Sequence, residues 1–208
     1  MRDNFKKIIF GTTNKRKIED LINLINYLNL NLEVLSLKDI GFQEEIFETG
    51  TSLEENSLIK AKTIYEFCHY KNIDYPIITD DAGLFVESLN GEPGVYTGRY
   101  ADDELKNSPS LPKYYGVIKL LNKLENIDDR SAKYKCVVTC MMKDGTYFQE
   151  KGESTGIIAK EIIGELKKPY FYSVFILNKL NKVFSSLEEN ELRETYRYKA
   201  LTKTLTKI

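Results

Sequence analysis

KKIIFGTTNKRKIEDLINLINYL, residues 6–28, decides the fold class. Residues 6–13 read as a short strand, because Ile8, Ile9 and Phe10 form an unbroken apolar run that a sheet covered on both faces would bury. The period then changes. Ile18, Leu21, Ile22 and Ile25 recur at helical spacing, and Asn14 stands where an N-cap is needed. A strand that turns through Gly11 directly into a helix is the opening unit of an α/β protein.

Outward from that unit the alternation continues. Residues 30–37 predict a second strand, 52–71 an amphipathic helix, and 75–81 a buried strand that ends in Asp80 and Asp81. Residues 109–126 predict a helix. Residues 131–155 predict a hairpin turning at Asp144-Gly145. Residues 170–177 predict a further strand and 186–205 a closing helix. The expected architecture is one domain, residues 1–208, with a mixed elongated sheet, helices and two lobes around a central cleft. The sequence shows no internal repeat and no low-complexity linker.

Composition narrows the function. The chain has 208 residues, 42% hydrophobic and 29% charged, with a formal net charge of −1. That balance argues against a nucleic-acid surface, which needs a basic excess. No segment approaches the ~18 apolar residues of a membrane span. One histidine, His69, argues against a Ser-His-Asp triad or a histidine-rich metal site. Cys68, Cys136 and Cys140, an odd count without metal-type spacing, fit a reduced, cytoplasmic compartment and read as buried apolar residues.

Two clusters carry chemistry. The turn Thr12-Thr13-Asn14-Lys15-Arg16-Lys17 places hydroxyls, free backbone amides and cations at a helix N-terminus, where an anion such as phosphate is favoured. It is neither a Walker A loop nor a dinucleotide fingerprint, and a solvated basic helix start is the plainer alternative. The second cluster is acidic: Glu48, Glu55, Asp80 and Asp81. Mg²⁺ takes a few carboxylates together with water and substrate phosphates. Adjacent acids on a strand face opposite ways, so only one of Asp80 and Asp81 can face a given pocket directly, and a helix N-cap or turn built from the pair is the plainer alternative. With Lys60 on the neighbouring helix, the set suits metal-assisted attack on a phosphate anhydride.

Four ordered blocks, residues 8–21 (IIFGTTNKRKIEDL), 48–62 (ETGTSLEENSLIKAK), 79–101 (TDDAGLFVESLNGEPGVYTGRYA) and 128–138 (DDRSAKYKCVV), carry a resemblance to the inosine triphosphate pyrophosphatase family. The resemblance implies hydrolysis of non-standard purine triphosphates such as ITP, dITP and XTP to a monophosphate and pyrophosphate, with Mg²⁺, in a cytoplasmic homodimer. It implies that Thr12 to Lys17 hold the triphosphate and that Lys17 and Lys60 face phosphate. It makes Asp81 the base and a metal ligand, with Glu48 beside Phe47, which stands at a family metal-side acid. Ala82 stands where a substrate-touching serine is usual.

The last third departs from the family pattern. Tyr170, Phe171, Tyr172 and Ser173 replace the purine-pocket motif, Glu191 replaces a lysine, and Tyr196 precedes the retained Arg197. Tyr172, Tyr196 and Tyr198 would supply an aromatic surface for a base, or simply a core. The expectation is that phosphate hydrolysis persists with an altered base choice. The alternative is a catalytically weak relative that binds nucleotide or a protein partner.

Overall fold

The computed structural model describes residues 6–208. Among the described residues eight strands form a mixed sheet: β1 (Lys6–Phe10), β2 (Leu32–Ser36), β3 (Ile77–Val86), β4 (Pro93–Gly94), β5 (Ser131–Met141), β6 (Tyr147–Ile158), β7 (Phe175–Leu177) and β8 (Lys182–Val183). Their order is β2-β1-β3-β5-β6-β7-β8, with β4 on β3. The helices are α1 (Lys15–Tyr27), α2 (Leu53–Tyr70), α3 (Asp102–Asn107), α4 (Tyr115–Lys123), α5 (Glu189–Leu192) and α6 (Tyr196–Leu205).

The chain divides into two compact units. The first holds residues up to Asp81, Cys136–Gly152 and Arg197–Ile208; the second holds Ala82–Lys135 and Glu153–Tyr196. Strands β3, β5 and β6 each run through both.

In the first unit β1 pairs in parallel with β2, Ile8 opposite Val34, and with β3, Ile9 opposite Ile77. Ile8, Ile9 and Phe10 are fully buried, as the unbroken apolar run requires. Helix α1 starts where expected, with Asn14 Oδ1 accepting from Arg16 N at 3.1 Å. Its buried face is Leu21, Leu24 and Ile25. Ile22 is 40% exposed, so the expected face is corrected: Leu24 takes its place. Helix α2 begins at the Ser52 cap, which accepts from Glu55 N. Its inner face packs Ala61, Ile64 and Cys68 against Ile9, Ile77, Phe42 and Met141.

The second unit packs β7 antiparallel between β6 and β8. Its core is aromatic. Tyr134 stacks on Tyr196, with centroids 4.9 Å apart, and meets Tyr172 and Phe175 edge-on; Phe184 closes on Tyr172 at 4.3 Å.

Several boundaries differ from expectation. Strand β3 does not stop at the acids but continues to Val86. Its pairing with β1 ends at Ile78 and pairing with β4 begins at Leu84, so Asp80 and Asp81 lie between the two partners. Residues 170–173 form a 3₁₀ turn rather than the start of a strand. Helix α4 starts only at Tyr115, after the Pro112 turn, because proline ends regular pairing on its N-terminal side. The closing helix is two pieces, α5 and α6, separated by a turn in which Thr195 N donates to Leu192 O. The hairpin turns as expected, with Gly145 at φ +81° and Met142 N bonded to Thr146 O.

The three cysteines are buried and unpaired. Burial pushes the Cys68 thiol up to about 11 and those of Cys136 and Cys140 to about 12. The native protein will therefore react slowly with a thiol reagent at pH 8, and unfolding in guanidinium will release all three thiols. Fast native-state labelling of any of them would contradict this burial.

Candidate active site in the first unit

Asp80 is gripped from two elements. Lys17 Nζ, on α1, donates to Oδ1 at 2.9 Å and to Oδ2 at 3.0 Å. Arg197 Nε, on α6, donates to Oδ2 at 3.0 Å. Asp80 is 3% exposed. Burial alone would raise its pKa, but Lys17, Arg197 and Lys60 outweigh it and hold the carboxyl well below the usual range. Burial, then Arg197 and Lys60, lowers the Lys17 pKa against the pull of Asp80.

Asp81 serves a different set of groups, as alternation along a strand demands. Lys60 Nζ stands 3.5 Å from Asp81 Oδ1 and 3.2 Å from Glu48 Oε1. Burial raises the Asp81 pKa, and the charges of Glu48 and Asp80 add to it; Lys60 and the Asn56 amide oppose. For Lys60, burial is outweighed by Asp81, Asp80 and Glu48, so its ammonium is strengthened. Three cations, Lys17, Lys60 and Arg197, thus offset three carboxylates, Asp80, Asp81 and Glu48, through these ion pairs.

Buried polar bonds hold the elements that aim these groups. Ser57 Oγ donates to Thr79 O and lies 2.7 Å from Thr139 Oγ1; Thr79 Oγ1 donates to Ser57 O at 2.7 Å. Gln149 Nε2 donates to Thr139 Oγ1 and to Glu54 O. These bonds pin α2 to β3 one residue before Asp80, and Lys60 follows one turn after Ser57. The loop ahead of α2 is locked by Gly50 N donating to Asn56 Oδ1 at 2.8 Å. A Cβ on Gly50 would stand 2.6 Å from Glu55 Cβ and 2.7 Å from Asn56 Oδ1. Gly50→Ala is expected to lower stability by about 1–3 kcal/mol in urea unfolding. An unchanged midpoint would mean the loop yields freely.

The basic turn lies in the same unit. Gly11 presses close, where a Cβ would meet Ile64 Cδ1 at 2.5 Å and Thr79 Cγ2 at 2.6 Å. Asn14 N donates to Thr12 Oγ1 at 3.2 Å. Thr13, Asn14, Lys15 and Arg16 are exposed, and Thr12 and Lys17 half-buried. Six expected phosphate residues therefore surround the α1 N-terminus, from which Lys17 reaches Asp80. Phe47 is 70% exposed, while Glu48 beside it reaches Lys60.

The remaining sequence-derived residues belong to the second unit, Arg197 and Tyr198 excepted. Ala82, on β3, is half-buried. Phe171, Tyr172 and Ser173 are buried and Tyr170 half-buried. The Tyr172 and Tyr196 hydroxyls lie 2.5 Å apart. Ser173 Oγ donates to Glu165 O at 3.3 Å, and Tyr170 meets Tyr114 edge-on. Glu191 Oε1 pairs with Lys182 at 2.5 Å, and its Oε2 accepts from Glu188 N. Tyr198 lies in the first unit, its hydroxyl donating to Asp20 Oδ1 at 3.3 Å.

A family model described as the Ham1 family matches residues 8–207. The chain belongs to the Ham1 family. It is 35% identical over 188 residues to a dITP/XTP pyrophosphatase of Christiangramia forsetii, covering 89% of each chain. It is 31% identical over 203 residues to a dITP/XTP pyrophosphatase of Clostridium perfringens, covering 95% of each. The Ham1 protein of Staphylococcus aureus superposes with a TM-score of 0.78 at 29% identity, covering 97% of both chains.

Against this Ham1 framework, the sequence did not reveal Asp20, Asn56 or the anchoring role of Asp80. Asp80 stands out in the sequence as one of the acidic cluster, but nothing local says that it anchors both Lys17 and Arg197. Asp20 lies three residues after Lys17, on the same face of α1, and that spacing could have revealed it. Burial raises its pKa, with Arg197 and Arg16 opposing. Asn56 carried no signal beyond its place four residues before Lys60.

Among the described residues, no group of three or more His, Cys, Asp or Glu forms a metal site by itself. Glu48 and Asp81 nevertheless offer the hard oxygen donors that Mg²⁺ takes one or two at a time. Asp81 Oδ2 is buried without a hydrogen-bond partner, so it has acceptor capacity for a cation. Among the described residues no helix is long and apolar enough to cross a membrane.

Proposed function

We propose that this chain hydrolyses non-standard purine nucleoside triphosphates, such as ITP, dITP and XTP, to the monophosphate and pyrophosphate with Mg²⁺. The observation that carries the reading is the ion network of Lys17, Asp80, Arg197, Lys60, Asp81 and Glu48 beside the basic N-terminus of α1. The dITP/XTP pyrophosphatase names of the relatives support the substrate class.

In this reading the exposed amides and side chains of Thr12 to Arg16 receive phosphate oxygens. Asp81 orients a water and takes its proton, a task favoured by the raised pKa of a half-buried carboxyl beside two other acids. Lys60 and Lys17 supply fixed positive charge against the pyrophosphate that leaves. Mg²⁺, held by Asp81 and Glu48 together with substrate phosphate, would supply further neutralisation of that charge. Asp80 keeps Lys17 and Arg197 charged and in place. The compartment we propose is the reducing cytoplasm, in keeping with three unpaired cysteines.

A panel of ITP, dITP, XTP, ATP, GTP and dTTP with Mg²⁺, assayed for pyrophosphate, tests this. Non-standard purines should turn over fastest, and a chelator should abolish release. Turnover that favours another base would uphold the phosphate chemistry and assign the changes around Tyr170–Ser173 to base choice. Tight binding without turnover of any member would overturn the enzymatic reading.

A further inference from the structure

Among the described residues of the first unit, two buried side-chain polar atoms have no hydrogen-bond partner and are chemically complementary: Asn56 Nδ2, a donor, and Asp81 Oδ2, an acceptor. Leaving such atoms unpaired is costly, so their coincidence calls for a role. Asn56 is completely buried. Its amide orientation is set, because Oδ1 accepts from Gly50 N at 2.8 Å and a flipped amide would present a donor to that N–H. The NH₂ group is therefore aimed away from Gly50.

The helix determines what it is aimed at. Asn56 and Lys60 stand four residues apart on α2, so they share a face one turn apart. Lys60 already holds Asp81 Oδ1. Ser57, the residue after Asn56, is bonded on both its oxygens to Thr79, which fixes the rotation of α2 against β3. The Asn56 amide also acts on Asp81 in the sense that favours the carboxylate.

We propose that Asn56 is a positioning residue for Asp81. Its Nδ2 holds Oδ2 while Lys60 holds Oδ1, so two donors one helical turn apart set the plane of the carboxylate. Each carboxylate oxygen keeps a second lone pair for water or metal. The kinetic consequence rests on the pyrophosphatase reading; the proposed pairing does not, and it can be tested on the ligand-free protein without turnover.

The first test is the side-chain amide resonance of Asn56 in ¹H–¹⁵N spectra of the full, ligand-free chain, assigned by its loss in Asn56→Ala. Asp81→Ala should move the Asn56 amide protons, because a charged acceptor is removed, while the Gly50 backbone amide stays in place. Unmoved Asn56 amide protons would overturn the proposal. The second test is the split of kinetic constants. Asn56→Ala should lower kcat about tenfold, the weight of one hydrogen bond to a charged group, and leave KM within about twofold. An unchanged kcat would overturn it. Should Asn56→Ala not fold, the amide shift in Asp81→Ala decides, with assignment by selective asparagine labelling. A wild-type protein that releases no pyrophosphate would sink the functional reading and leave the amide shift to judge the contact.

Discussion

Asp80→Asn should cost the fold about 3–5 kcal/mol, the usual penalty for removing one partner of a buried ion pair. For a chain of this size that corresponds to a fall in Tm of roughly 6–20 °C. The reason is electrostatic. Lys17 and Arg197 both spend their charge on this carboxylate, whose side chain is 1% exposed. An amide of the same shape keeps an acceptor but no charge. Two cations then face each other with Lys60 nearby, and Lys17 is already disfavoured by burial. Calorimetry on the variant checks the prediction; a Tm within a degree or two of wild type would refute it.

The pH dependence of the wild type follows with a definite sign. The Asp80 pKa is depressed in the folded state. A depressed carboxyl contributes stability that is fully present above the unfolded-state value near 4 and is lost as pH falls through the folded-state value. Wild type should therefore lose stability steeply below about pH 4, and Asp80→Asn should lose less over the same range. Parallel acid-unfolding curves for the two proteins would contradict the assignment.

The elements that were legible from the sequence are those whose period is strong. The apolar run of β1 and the Asn14 cap fixed the strand-turn-helix start, and Asp144-Gly145 fixed the hairpin. Boundaries set by tertiary pairing were not legible. Nothing local says that β3 exchanges β1 for β4 around Asp80 and Asp81, so the acids read as a strand end. Proline and the Leu192–Thr195 turn cut helices that periodicity alone would extend. At the site, alternation correctly assigned Asp80 and Asp81 to different partners. It did not say which was anchored, because Arg197 arrives from 117 residues away. Asn56 was invisible for a related reason: its meaning comes from Gly50 on one side and Asp81 on the other.

Asp81→Asn should abolish most pyrophosphate release while leaving the protein folded. A general base contributes roughly 10²–10⁴ to rate, so kcat should fall by about that factor. Asp81 is suited to the role where Asp80 is not. Asp80 is saturated by two cations and driven below the usual carboxylate range, which makes it a poor proton acceptor. Asp81 carries a raised pKa, touches Lys60 at the longer distance of 3.5 Å, and keeps acceptor capacity on its oxygens. The amide variant keeps its shape, and Lys60 keeps Glu48 at 3.2 Å, so the stability loss should be smaller than for Asp80→Asn. The two variants therefore separate the two acids. Asp80→Asn should move Tm more than Asp81→Asn, and Asp81→Asn should move kcat while nucleotide binding by calorimetry persists. If instead Asp81→Asn keeps wild-type kcat, another group takes the proton, and the pairing of roles between these neighbouring residues is wrong.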